Sequence, residues 1–233
     1  MHSKPITISD THEPETNYTR SELVELFTKL RNAIPKPKIE LNYTNPFTLL
    51  VAVVLAAQST DTGVNKATSQ IFPIADTPER MLAIGEDKLR ELIRTIGIFK
   101  NKAKNIISLS AKLINEFDGK VPSNKKDLIM LPGVGTKTAN VILNECFGIP
   151  TIAVDTHVFR LANRLLLAPG KTPRIVEEKL GNIIPKTFKK DAHQLLVLHG
   201  RYICKARKPL CAQCIINNLC KSPDKQLHTV TRS

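Results

Sequence analysis

Lys137 is the residue whose setting most directly suggests covalent chemistry, because it follows a Leu-Pro-Gly-Val-Gly turn at residues 131–135. Apolar periodicity predicts a short helix on each side of this turn, so residues 123–148 form a helix–turn–helix unit. The positive end of a helix disfavours a nearby ammonium, and a neutral lysine amine can form a Schiff base with a sugar aldehyde carbon. Position alone still favours the alternative, a protonated Lys137 that contacts a phosphate.

The turn itself, with Gly133, Val134, Gly135 and the following Thr136, predicts a phosphate-binding site. Gly133 and Gly135 can adopt positive φ and let the backbone approach a ligand closely. The helix that follows presents unpaired N–H groups, which bind phosphate irrespective of the base sequence. The alternative is a tight turn between two helices that has no ligand. The basic composition of the chain favours contact with a DNA backbone.

Asp155 and His157 lie in a Val-Asp-Thr-His stretch, between the short apolar segment 151–154 and an amphipathic helix predicted over residues 158–167. Asp155 fits the N-cap of that helix, and capping is compatible with a second role. A carboxylate near Lys137 could accept its proton or stabilise positive charge at C1′ of a sugar. We interpret His157 as a structural residue or a phosphate contact rather than as a base.

Four of the five cysteines lie close together in the last part of the sequence, at Cys204, Cys211, Cys214 and Cys220. Their spacing is Cys-x6-Cys-x2-Cys-x5-Cys, which in a reducing compartment indicates a metal site rather than disulfides. It matches neither the paired hairpins of a zinc ribbon nor the ferredoxin pattern, so ligand chemistry leaves zinc and iron–sulfur equally open. We expect basic residues nearby, including Arg201 and Lys208, to offset thiolate charge or to contact DNA.

The elements that must position these residues are predicted to be helices. The chain has 233 residues, of which 42% are hydrophobic and 5% aromatic, so it can bury a core. Ser21 and Ser123 are predicted N-caps. Beyond the helices already described and a first helix from residue 21, periodicity predicts helices over residues 47–57, 61–72, 86–96, 101–117, 174–184 and 191–202. Only residues 151–154 resemble a strand, so the predicted fold class is all-α.

The net charge of +13 and the isoelectric point of about 9.6 predict a polyanionic partner, because Lys and Arg displace counterions from phosphates. The longest apolar run, residues 49–57, is too short to span a bilayer, and the polar N-terminus has no signal-peptide core. We therefore expect no membrane association and a cytoplasmic location, with association to the nucleoid in a bacterium. We also expect a monomer.

These motifs together resemble the endonuclease III family, which are bifunctional DNA glycosylases of the helix–hairpin–helix superfamily. The resemblance runs over about residues 21–220, and its diagnostic stretches are residues 55–61, 131–140, 151–157 and 198–202. The cysteine spacing is that of the family's iron–sulfur loop. The resemblance, and not the ligand chemistry, therefore implies a [4Fe–4S] cluster bound by the four cysteines.

The resemblance also implies roles for individual residues. Lys137 matches the family's Schiff-base nucleophile, and Asp155 matches its second catalytic residue. Gln58 matches the glutamine that fills the space left by a flipped-out nucleotide, and Ile98 matches the apolar wedge at the opposite strand. The implied substrate is double-stranded DNA with damaged pyrimidines or abasic sites. The implied activity is glycosylase removal of an oxidised or ring-saturated pyrimidine, followed by AP lyase cleavage 3′ to the site by β-elimination.

The fold implied by the resemblance consists of two helical domains with a cleft between them. A six-helix domain over residues 39–149 contains the helix–hairpin–helix, and residues 20–38 combine with 150–223 in a [4Fe–4S] cluster domain. Residues 1–19 are predicted to be a disordered extension, and residues 224–233 a C-terminal tail.

Two residues depart from the family pattern. Thr136 stands where Arg or Lys is common, and Ala56 where Ser is common, so we expect a weaker phosphate contact and altered hydrogen bonding in the pocket. Three alternatives remain open. A related adenine-mismatch glycosylase is disfavoured by Lys137 and by the end of the chain at Ser233. The others are a zinc-stapled DNA-binding protein without activity, and an abasic-site lyase with little glycosylase activity.

Overall fold

The computed structural model describes residues 16–225, and all regular structure there is helical, which confirms the predicted all-α class. The α-helices are α1 (Arg20–Ala33), α2 (Pro46–Ala56), α3 (Asp61–Ile71), α4 (Pro78–Leu92), α5 (Phe99–Phe117), α6 (Lys125–Ile129), α7 (Thr136–Phe147), α8 (Thr156–Arg164), α9 (Pro173–Ile183) and α10 (Lys189–Tyr202). Short 3₁₀ helices occupy Lys186–Phe188, Cys211–Gln213 and Asn217–Leu219.

The start of α1 is set by a capping box and not by Ser21, so that predicted cap is wrong. The Thr19 hydroxyl accepts a hydrogen bond from the Glu22 N–H at 3.2 Å, and the Glu22 carboxylate accepts one from the Thr19 N–H at 2.7 Å. The two bonds satisfy backbone donors that a helix start leaves unpaired. In α6 the side chain of Asn124 caps the helix in place of the predicted Ser123.

The helix observed in this region begins and ends at other residues than the predicted helix over residues 86–96. Helix α4 begins earlier, is interrupted at Gly85, where φ is 75° and ψ is 167°, and ends before residue 93. The following turn leads to Ile98, which precedes α5 in the left-handed conformation with φ of 56°. This early end exposes the turn between α4 and α5, and 53% of the Ile98 surface is accessible to solvent.

The first hydrophobic core is built from α2 to α7. Helix α2 forms its centre because it is apolar on all sides, and nine of its eleven residues, Phe47 to Leu55, are buried. Helix α5 contributes the predicted apolar stripe, with Ile106, Leu109 and Leu113 fully buried. This core supports the two helices that flank the Pro-Gly-Val-Gly turn.

The second hydrophobic core combines α1 with α8, α9, α10 and the loop that contains the clustered cysteines. Leu26, Phe27 and Leu30 of α1 are fully buried, and the Phe27 ring stacks on Phe188 at a centroid distance of 5.7 Å. The chain therefore leaves this core after α1 and returns to it after α7. The arrangement agrees with two helical bodies, whereas the residue boundaries given above stay a prediction.

Tyr18, which lies in the predicted N-terminal extension, belongs to the second core. Tyr18 is 6% exposed, and its hydroxyl donates a hydrogen bond to the Leu165 carbonyl at 3.0 Å. The Lys221 ammonium lies 4.6 Å from the centre of the Tyr18 ring. At the other end, Lys225 donates to the Asn217 carbonyl at 2.6 Å. The remaining parts of the two predicted terminal segments, residues 1–15 and 226–233, lie outside the described residues.

Candidate active site

The hairpin between α6 and α7 is closed by a hydrogen bond from the Val134 N–H to the Leu131 carbonyl at 3.1 Å. Gly133 has φ of 80°, and a Cβ atom there would lie 3.0 Å from the Asn105 side chain, so glycine is required. The prediction of positive φ at Gly135 is wrong, because φ is −94° there. Gly135 instead forms the N-cap of α7, and no atom lies within 4 Å of its Cβ position.

The start of α7 presents backbone donors to the surface. Gly135 provides no side-chain cap, and both Thr136 and Lys137 are exposed. Val134 is 6% exposed and anchors the hairpin in the first core. Uncapped N–H groups at an exposed helix start are suited to an anion, which agrees with the predicted phosphate site. Contact with DNA at these residues stays a prediction.

Asp155 caps α8, as its position predicted. One carboxylate oxygen, Oδ1, accepts hydrogen bonds from the His157 N–H at 2.9 Å and the Val158 N–H at 2.8 Å. The cap therefore fixes the carboxylate through one oxygen and leaves the other free of capping. His157 is half-buried, with Nδ1 3.4 Å from the Arg160 guanidinium, which agrees with a structural role.

Side chains of α7 hold the extended segment that leads into α8. The Asn140 amide donates to the Ile152 carbonyl at 3.1 Å, and the Thr151 hydroxyl donates to the Asn140 carbonyl at 2.5 Å. One turn later, the Asn144 amide donates to the Thr151 carbonyl at 3.1 Å. Both asparagines are buried. These bonds fix the start of α8 relative to the helix that carries the hairpin lysine.

One pocket at the junction of the two cores contains both predicted catalytic residues. Lys137 and Thr138 line it from α7, and Asp155 lines it from the start of α8. Helix α10 contributes His193 and neighbouring residues. Ala56 also lines the pocket, so this departure from the family pattern removes a hydroxyl from its wall.

His193 is a pocket residue that no sequence motif marks, because its spacing along α10 is that of a core position. Its side chain is 4% exposed, and its Nδ1 has no hydrogen-bond partner among residues 16–225. Burial lowers the pKa of His193 to about 4; the charge of Asp155 opposes this shift and that of Lys137 adds to it. The imidazole is therefore neutral at physiological pH.

Gln58 and Ile98 lie on two exposed turns that touch each other. Both have φ of 56°, in the left-handed region. A Cβ atom at Gly97 would lie 3.3 Å from the Gln58 carbonyl oxygen, so the turns meet at a glycine. The structure thus brings together two residues that are distant in sequence, and their insertion into DNA stays a prediction.

Arg201 has partners within the protein. Its guanidinium forms ion pairs with Glu40 and with Asp61, the latter at 2.6 Å, and the Tyr202 hydroxyl also donates to Glu40. These contacts join α10 of the second core to the segments before α2 and at the start of α3. The predicted DNA contact of Arg201 stays a prediction, as does that of Lys208, which is exposed.

The clustered cysteines all line one pocket: Cys204, Cys211, Cys214 and Cys220. In the described part of the chain, no three His, Cys, Asp or Glu side chains are grouped so that they could hold a metal ion. Burial raises the pKa of Cys214 to about 11, so ligation there displaces a proton.

Two arginines of α8 lie beside the cysteine loop, and no motif marked them. The Arg164 guanidinium lies 3.7 Å from the Cys204 sulfur and donates to the Lys205 carbonyl at 2.6 Å. Arg160 donates to the Cys204 carbonyl at 3.0 Å. The two arginines therefore bind the cysteine loop by its backbone and place positive charge beside a thiol group.

Comparisons with known proteins agree with this geometry. The family of HhH-GPD superfamily base excision DNA repair proteins matches residues 51–186, and the iron–sulfur binding domain of endonuclease III matches residues 204–220. Endonuclease III of Haemophilus influenzae is 52% identical over 206 residues, which are 88% of this chain and 98% of that protein. The chain belongs to the endonuclease III family. Endonuclease III of Escherichia coli is 50% identical with the same coverage.

Solved structures of the endonuclease III family have the same fold. A trapped endonuclease III–DNA covalent intermediate and a non-covalent endonuclease III–DNA complex each give a TM-score of 0.81 at 41% identity. Each alignment covers 88% of this chain and 96% of the other. The predicted family, the fold with its helix–hairpin–helix, the enzyme class and the iron–sulfur cofactor are confirmed. The chain is thus a base excision repair DNA glycosylase.

Within residues 16–225, no helix is both long enough and apolar enough to span a membrane.

We expect Asn140→Ala to lower kcat more than it weakens the Kd for DNA. The substitution frees the segment before Asp155, whereas its link to α6 is indirect and runs through the Glu177–Lys125 pair. It should also lower the free energy of unfolding by about 1–3 kcal/mol, since a buried carbonyl loses its donor. Asn45→Ala is the matched control, because Asn45 caps α2 and is similarly involved in local structure. Urea unfolding and single-turnover kinetics measure both effects. Equal losses of kcat in the two variants would contradict the positioning role.

We expect His193 to make stability depend on pH between about 6.5 and 4. The unfolded chain takes up a proton on this residue near pH 6.5, whereas the folded chain resists it until about pH 4, so stability falls as the pH falls. The loss attributable to His193 should reach about 3 kcal/mol at the acid end. In His193→Gln this component should be absent, and urea unfolding at several pH values tests it. Identical pH slopes in both proteins would refute the prediction.

Proposed function

We propose that Lys137 is the nucleophile and Asp155 the second catalytic residue of a bifunctional glycosylase and AP lyase. The observation that supports this most directly is their presence in one pocket, although they belong to different helices and face the junction of two cores. Lys137 lies in the first turn of a helix whose N-terminus has no side-chain cap.

We propose that the substrate is double-stranded DNA with an oxidised or ring-saturated pyrimidine, or with an abasic site. The net charge of +13 and the uncapped start of α7 support backbone contacts through Gly133, Val134, Gly135 and Thr136. The damaged nucleotide must leave the stack for C1′ to be reached. Gln58 then occupies the vacated space, and Ile98 enters beside the opposite strand. His157, Arg201 and Lys208 provide further contacts.

The proposed reaction proceeds through a covalent intermediate. The neutral amine of Lys137 attacks C1′, the glycosidic bond breaks, and the base leaves with the bonding electron pair. The Asp155 carboxylate stabilises positive charge that develops at C1′. The nitrogen then loses a proton, the C1′–O4′ bond breaks and O4′ takes up a proton, which gives a Schiff base with the opened sugar. The Schiff base makes the C2′ proton acidic, and its loss expels the 3′ phosphate and cleaves the strand. The endonuclease III structure described as a trapped covalent intermediate with DNA supports such a step.

The proposed ligands of the iron–sulfur cluster are Cys204, Cys211, Cys214 and Cys220, which share one pocket. This pocket is separate from that of Lys137 and Asp155. A bound cluster would supply a fixed centre around which the cysteine loop folds. Arg164 would offset the negative charge of the thiolates, because its guanidinium lies beside Cys204.

We expect borohydride to trap a covalent adduct between the wild-type protein and an abasic duplex, because it reduces a Schiff base to a stable amine. Lys137→Ala should form no adduct. Lys126→Ala is the matched control, since Lys126 is exposed on α6 beside the same hairpin and should trap normally. The adduct is measured as a shifted band on a denaturing gel. Equal trapping by Lys137→Ala and the wild type would assign the nucleophile elsewhere.

Cleavage of a thymine-glycol duplex and of an abasic duplex should separate glycosylase from lyase activity. We expect both duplexes to be cut, with Asp155→Asn slower by about 10²-fold or more on the thymine-glycol duplex, because a charged stabiliser is lost. Gel-resolved single-turnover rates measure this. Cleavage of the abasic duplex alone would reduce the function to that of an abasic-site lyase.

A further inference from the structure

Gln58 and Ile98 share an unusual backbone conformation that their own side chains do not hold in place. Both have φ of 56°, which residues with a Cβ atom rarely adopt. Neither side chain is buried, since Ile98 is 53% exposed and Gln58 is exposed as well. The conformation must therefore be imposed by contacts made elsewhere in the two turns.

The contacts around Gln58 come from Lys102, a buried lysine of α5 that is 5% exposed. Its ammonium donates hydrogen bonds to the Leu55 carbonyl at 2.9 Å, the Ala57 carbonyl at 2.5 Å and the Ser59 hydroxyl at 3.0 Å. These acceptors lie on both sides of Gln58. All three hydrogens of the ammonium are used, so the turn is held at three points.

The same ammonium provides hydrogen-bond donors at the C-terminal end of α2. That helix has no basic residue in its last turn, and its final carbonyls need donors. A cation from another helix satisfies two carbonyls at this end, Leu55 and Ala57, and interacts favourably with the negative end of the helix. Burial lowers the pKa of Lys102, because desolvation penalises the charged ammonium. An apolar side chain of similar length would avoid that penalty but would leave the carbonyls without donors.

Lys102 is also joined to the turn of Ile98. Its backbone N–H donates to the Ile98 carbonyl at 3.2 Å, so the residue contacts one turn by its backbone and the other by its side chain. Gly97 completes the junction, because a Cβ atom there would lie 3.3 Å from the Gln58 carbonyl oxygen and 3.8 Å from the Ser59 hydroxyl oxygen. The two turns are therefore coupled through one residue of α5.

We propose that Lys102 is a positioning residue that holds Gln58 and Ile98 together in the conformation that enters the DNA duplex. The proposal rests on the insertion of these two residues given above as part of the proposed function. A pair that is fixed before binding loses little conformational freedom when the nucleotide leaves the stack. Lys102 does not itself line the catalytic pocket, although Ala57, whose carbonyl it binds, does.

The test uses Lys102→Met, which keeps the length of the side chain and removes its charge and donors. We expect single-turnover excision from a thymine-glycol duplex to slow by about 10- to 100-fold, as for other misplaced groups. A 2-aminopurine beside the lesion should show a smaller rise in fluorescence on binding, because less nucleotide is flipped. Lys104→Met is the matched control, since Lys104 is exposed on the same helix and its loss changes the net charge equally. It should leave both readouts unchanged.

A double-mutant cycle separates positioning from a general loss of structure. If Lys102 acts through Gln58, Lys102→Met should add little to the loss already caused by Gln58→Ala. Fully additive losses, or a normal 2-aminopurine signal in Lys102→Met, would overturn the proposal. Unchanged excision in both Gln58→Ala and Ile98→Ala would overturn the proposed insertion itself. If Lys102→Met does not fold, Gly97→Ala disturbs the same junction, and a normal 2-aminopurine signal in that variant would count against the coupling of the two turns.

Discussion

The hydrogen bonds from Asn140 and Asn144 to the backbone at residues 151 and 152 are the interaction on which the site depends. Helix α7 begins at the hairpin, and the segment that these amides hold continues directly into the cap of α8. A buried carbonyl without a donor is costly, so the two amides hold this segment firmly against the helix. The separation of Lys137 from Asp155 is therefore set by polar contacts inside the protein before any DNA is present.

The pocket lies where two apolar cores meet, which explains why its polar groups are so closely constrained. Each apolar core holds its own helices together but does not fix the distance between the two bodies, because burial of apolar surface is non-directional. That distance is set by specific polar pairs across the junction, such as Arg201 with Glu40 and Asp61. A neutral, buried His193 adds a further polar surface without adding charge. The resulting space is open to a ligand, yet its walls belong to rigid helices.

Much of this could be predicted from local sequence. Helix positions followed from apolar spacing. Local motifs placed Lys137 and Asp155 at helix starts, whereas their proposed catalytic roles came from the family resemblance. The caps at Ser21 and Ser123 were wrong, since a nearby Thr or Asn side chain caps each helix at a different residue. His193 and Lys102 could not be predicted. His193 has the spacing of a core residue, and Lys102 lies among exposed lysines. Only tertiary contacts distinguish these two residues from their neighbours.

The route of the chain through its two cores has a consequence for synthesis on the ribosome. Helix α1 emerges first, but the residues that cover it belong to α10 and to the segment around Ile216, which emerge near the end. The first core, from Leu41 to Ala153, is complete much earlier. Domains generally fold as units while translation proceeds. Nascent α1 must therefore remain without its apolar partners while a finished helical body forms behind it.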